Sequence, residues 1–118
     1  MIAESYITEI EAYRANGSND EWFFAKITDH LLEDHSPQEA FDAIGEIAQL
    51  ALDEEEASLF YDHIQFLIRL ARTANTTECP KPFYEISERL RAKASMFGEA
   101  ELSAVKELYS WFRLPFNK

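Results

Sequence analysis

The residues best suited to chemistry are three Asp-His pairs: Asp29-His30 and Asp34-His35 in "TDHLLEDHSPQEAFD", and Asp62-His63 in "LFYDHIQ". Carboxylate with imidazole is a donor set for zinc, iron or manganese. The spacing argues against that use. Helical bundles that hold such metals draw a Glu and a His from one face, three residues apart. Three residues before His30, His35 and His63 stand Ile27, Leu32 and Phe60, and no His-Glu-x-x-His occurs. Neighbouring residues on a helix point about 100° apart, so an Asp-His pair does not converge on one ion. His30 with Asp34, at i and i+4, is the best remaining pair, and two ligands do not make a selective site. No metal and no cofactor are expected.

Each histidine has a structural role open to it. His35 falls where a second helix should end, where positive charge suits the helix dipole. His63 lies toward the apolar side of a fourth helix, as a hydrogen-bonded core imidazole. Cys79 precedes Pro80 and has no cysteine partner, so it reads as a spectator thiol and excludes an internal disulfide. Neither a Gly-rich phosphate loop nor a Gly-x-Ser-x-Gly elbow is present. A non-enzymatic protein is expected.

The elements that would position these residues are helices. Three Gly and four Pro among 118 residues leave few turns, and a hydrophobic fraction of 47% supports one folded domain over residues 1–118. Apolar residues recur at helical spacing nearly throughout. Ile2, Tyr6, Ile10 and Tyr13 form the first stripe, closed by Gly17. Ser18 with Glu21 has the pattern of a capping box opening a second helix through Trp22, Phe23, Ile27 and Leu31. Ser36, Pro37 and Glu39 start the third, with Phe41, Ile44, Ala48 and Ala51 as its core face. Asp53 with Glu56 reads as the cap of the fourth, which runs to about Thr73 and is apolar over most of its circumference; such a helix belongs in the middle of a domain. "TANTTECPKP" interrupts. A fifth helix (Phe83, Ile86, Leu90, Ala94) and a sixth (Leu102, Val105, Leu108, Phe112) follow, separated by Gly98. The reading is all-α: six helices in three hairpins, as a compact bundle or a short HEAT-like solenoid. The start "MIAESYITEIEAYR" lacks the pattern of a secretory signal, and no run approaches ~18 apolar residues, so a cytoplasmic location is expected.

Charge is the strongest functional signal. The net charge is −11. Residues 1–62 hold two bases against sixteen acids, whereas residues 63–118 hold nine against six. Such a chain repels nucleic acid and attracts a basic protein. On the third helix Glu39, Asp42, Glu46, Gln49 and Asp53 form one stripe without a base, although like charges at i,i+4 cost a few tenths of a kcal/mol each. The fifth helix instead pairs Glu85 with Arg89 and Glu88 with Arg91. Asp42, Glu46, Asp53, Glu54, Glu55, Tyr61 and Asp62 are the candidate partner-binding residues, with Tyr61 as an aromatic anchor. The short connection between helices three and four should bring them onto one face.

The segment "SPQEAFDAIGEIAQLALDEEEASLFYD", in a small, acidic, all-helical chain, resembles the immunity proteins of bacterial toxin systems. The nearest are those of the nuclease colicins and the helical ones paired with contact-dependent or polymorphic toxins. The likeness is one of size and character along the whole chain, without a diagnostic motif. This chain is longer than the colicin types and lacks their two consecutive tyrosines. The resemblance implies a cytoplasmic antidote that binds and blocks one cognate toxin, commonly a basic nuclease. The competing expectation is a helical adaptor or regulatory subunit with a partner peptide in a groove between hairpins.

Overall fold

The computed structural model describes residues 2–16, 23–33 and 35–116. Six helices account for most of them: α1 (Ile2–Asn16), α2 (Phe23–Leu32), α3 (Pro37–Asp53), α4 (Ala57–Ala74), α5 (Lys81–Phe97) and α6 (Glu99–Trp111). No strand occurs among the described residues. The all-α reading therefore holds. Gly17, the Ser18–Glu21 start, Trp22 and Asp34 lie outside the described residues.

The start of α3 is built as its residue types require. Ser36 Oγ accepts the Glu39 N–H at 3.1 Å, and Glu39 Oε1 accepts the Ser36 N–H at 2.8 Å, with Pro37 in the first turn. The other end of α3 is closed from outside, since Lys93 Nζ donates to the Leu52 carbonyl at 2.7 Å. The α4 start differs from the expected one. Asp53 is the last residue of α3, and Glu56 occupies the cap position without a side-chain hydrogen bond. Glu54 supplies the acceptor instead: its Oε2 takes the N–H groups of Glu55 and Glu56, each at 3.1 Å. His35 also differs. The helical span of α2 closes at Leu32, so His35 sits just before α3 and contacts Glu39 at 3.2 Å.

Asn75 ends α4 in the left-handed conformation (φ 57°), its N–H reaching the Ala71 and Arg72 carbonyls. Gly98 alone separates α5 from α6 at φ 148°, a conformation that favours glycine. At Gly45 the reason is proximity: a Cβ there would meet Pro82 Cβ at 2.8 Å, so α3 and α5 approach closely only without it.

The packing is a stack of three hairpins. α3 packs on α4, α4 on α6, α6 on α5, and α5 back on α3; α1 packs on α2 and α3, and α2 on α4. This gives two rows of three, α1–α3–α5 and α2–α4–α6. The shortest extent is 19 Å, about two helices thick, and the radius of gyration, 13.5 Å, is that of a compact chain of this length. The middle hairpin touches both others. That position explains why α4 buries Leu59, Phe60, Ile64, Phe66, Leu67 and Leu70. On α3 the core face is Ala40, Ala43, Ile44, Ile47, Ala48 and Ala51, whereas Phe41, expected inside, is only half-buried.

Candidate functional site

The acidic stripe of α3 faces solvent along its whole length. Glu39, Asp42, Glu46, Gln49 and Asp53 are all exposed, opposite the arc that packs on α4. Gln38 Nε2 donates to Asp42 at 2.8 Å and Gln49 Nε2 to Asp53 at 3.2 Å. Among the described residues no Lys or Arg forms an ion pair with Asp42, Glu46 or Asp53. Sequence reasoning missed Glu4 and Glu11, which are exposed on α1. They stand seven positions apart, hence on one stripe of α1.

The expected joint face of α3 and α4 does not form. The two helices bury their apolar arcs against each other, so their free stripes look away from one another across the thickness of the stack. Tyr61, 37% exposed, and half-buried Asp62 lie on the α2–α4–α6 side, with Ser58, Gln65 and Arg72. On that side the α4 bases are neutralised. Arg69 pairs with Asp29 and donates to Thr28 Oγ1 at 2.6 Å, and Arg72 pairs with Glu107 of α6 at 3.1 Å. Glu55 is exposed in the α3–α4 turn, at the edge between the two sides.

Glu54, expected on the partner surface, is 3% exposed and belongs to a buried polar chain. Its carboxylate pairs with Arg14 of α1 and accepts His63 Nε2–H at 2.8 Å. A carboxylate only accepts, so the Nε2 proton is fixed and neutral His63 uses Nδ1 to accept the Tyr6 hydroxyl at 2.8 Å. Tyr6 stacks on Phe66, with ring centroids 4.3 Å apart. Burial favours a neutral Glu54, but Arg14, His63 and the Glu56 N–H outweigh it and hold the carboxyl down at about 2. For His63 burial wins over the Glu54 contact and lowers its affinity for protons, while burial and the Asp62 charge push the Tyr6 hydroxyl up. A Tyr-His-Glu relay would suit proton transfer, yet Tyr6 and His63 are sealed from solvent and no substrate reaches them. The chain ties α1 to the middle hairpin. His63 is the hydrogen-bonded core imidazole that its place on α4 suggested.

Asp62 carries a measurable consequence. Burial raises its carboxyl from 3.8 to about 6. The folded state then holds this proton more tightly than the unfolded chain, so stability falls as pH rises from about 4 to 6, and the penalty is complete above 6. Asp62→Asn should therefore stabilise at pH 7–8 by about 1 kcal/mol, discounted for solvent screening of a half-exposed group. The gain should disappear near pH 4. Thermal unfolding of both proteins between pH 4 and 8 checks it; a constant difference would assign the effect to something other than ionisation.

No three His, Cys, Asp or Glu side chains among the described residues converge as a metal site requires. Cys79 is half-buried, and burial pushes its thiol up, away from the reactive thiolate. No helix among the described residues is long and apolar enough to cross a membrane. No protein-family model matches this chain, and neither a curated protein nor a solved structure matches it.

Proposed function

We propose that this protein is a small acidic binding protein that neutralises a basic cognate partner, a toxin domain of the nuclease type, by covering its substrate-binding surface. The observation that carries the reading is the contrast between the two broad sides of the stack. The α4 bases are paired with acids of α2 and α6, whereas Asp42, Glu46 and Asp53 are exposed and form no ion pair with a base among the described residues. Along α3 this arrangement destabilises the isolated helix slightly. A complementary basic surface converts the same repulsion into attraction and steers association. Tyr61 lies on the other side, so the acids rather than the tyrosine carry the contact.

A second reading, a helical adaptor, draws on the cleft of 90 Å³ between α1 and α3, whose floor is Ile2, Ala3 and Ala43 and whose rim is Glu39, Asp42 and Glu46. A peptide seated there would depend on the apolar floor rather than on net charge.

The test is association kinetics, at low and high salt, with a basic protein partner captured on the immobilised wild-type protein. Replacing Asp42 and Glu46 together by Lys should slow association about tenfold or more at low salt and flatten its salt dependence, because steering is screened over ~8 Å at physiological ionic strength. Tyr61→Ala should leave both unchanged. Equal rates and salt slopes for the wild type and the charge-reversed protein would reduce the acidic face to a solvated surface.

A further inference from the structure

The six helices divide unevenly. α3, α4, α6 and α5 close a ring in which each packs on two others, with a core of its own that includes Ile44, Phe60, Leu67, Leu90 and Leu108. α1 and α2 stand outside that ring, and their main packing partners end at the middle hairpin. From the hairpin side the seam buries Ile2, Tyr6, Ile10 and Leu31 as its large apolar side chains among the described residues. It also contains the α1–α3 cleft.

Among the described residues, the polar ties across this seam include Tyr6 to His63, Arg14 to Glu54 and Glu56, and Arg69 to Thr28 and Asp29. We propose that the α1–α2 hairpin is a separately opening lobe, which leaves the α3–α6 ring as a unit and is fastened to it by these ties. Opening breaks no contact within the ring. Its cost is that of the seam alone, below the cost of global unfolding. The Tyr6 tie acts as a catch because its acceptor, His63 Nδ1, is buried while the lobe is closed and meets water once it opens. The cleft between Ile2 and Ala3 of α1 and Asp42 and Glu46 of α3 lies in the same seam. An open lobe would part its two walls, so a partner that spans both helices binds the closed form.

Hydrogen exchange read by mass spectrometry on the whole protein, without a partner, tests the lobe. Amides in residues 6–16 and 27–32 should exchange as one group, at least about tenfold faster than those in residues 61–71 of α4. Tyr6→Phe removes the catch and should speed exchange of that group by about a further tenfold, leaving α5 and α6 unchanged. Arg69→Gln cuts a more exposed tie and should act in the same direction more weakly, which preserves the test if the Tyr6 variant does not fold. Common exchange of all six helices would overturn the proposal. So would variants that accelerate α5 and α6 as much as α1.

Discussion

Glu54→Ala should destabilise the protein by about 3 kcal/mol, although Glu54 sits in a run of four acids whose other members are exposed. Removing one partner of a buried ion pair costs roughly 3–5 kcal/mol, because the other charge stays behind without compensation. Here Arg14 is partly exposed and recovers water, which places the loss at the lower end. Two further penalties remain. The buried His63 Nε2–H loses its acceptor, and the Glu55 and Glu56 N–H groups lose the carboxylate that closes the α3–α4 turn. Glu54→Gln keeps an acceptor for His63 and should cost about half as much. Since the Glu54 carboxyl is depressed from 4.5 to about 2, its contribution is fully present above pH 4.5 and is lost as pH falls through 2. The wild type should thus approach Glu54→Gln in stability as pH drops below 4.5. Urea unfolding at pH 7 and pH 3 measures both effects. A loss under 1 kcal/mol for Glu54→Ala at pH 7 would mean that the carboxylate is solvated and that the turn closes without it.

Leu67→Ala should cost a comparable ~2–5 kcal/mol. Leu67 is fully buried on α4, the helix enclosed by three neighbours, so the surroundings have little freedom to collapse into the space left behind. Asp42→Asn is the matched control. It removes one charge from a row of like charges on an exposed stripe and should be neutral or mildly stabilising. Denaturant midpoints for the two variants separate core from surface directly. A Leu67→Ala protein within 1 kcal/mol of the wild type would move the core away from α4.

Local signals in the chain are strong where chemistry is local. Ser36-Pro37-x-Glu39 specifies a helix start from four adjacent residues, and the apolar circumference of α4 specifies its central place. Gly98 marks a boundary for a reason that needs only one residue. Glu54 is different. In "LDEEEA" it is indistinguishable from Asp53 and Glu55, and its burial depends on Arg14, forty positions earlier, and on His63, nine later. Two signals pointed there: a lone arginine in an acid-rich half, and a histidine on an apolar face in need of a partner. The opposition of the α3 and α4 stripes was also open to reasoning. Two helices that share a core turn their polar arcs outward, so a short connection makes them neighbours without giving them a common face. Which row α1 joins required the packing itself.

A stack only two helices thick also separates what evolution must keep from what it can rewrite. Among the exposed acids of α3, Asp42 and Asp53 are bonded to Gln38 and Gln49 rather than to the polar chain, and substitutions at sites without shared partners act nearly independently. Asp42, Glu46 or Asp53 can therefore be exchanged while Leu67, His63 and Glu54 stand still. Each such exchange shifts stability by only a few tenths of a kcal/mol, and the scaffold beneath never has to be renegotiated.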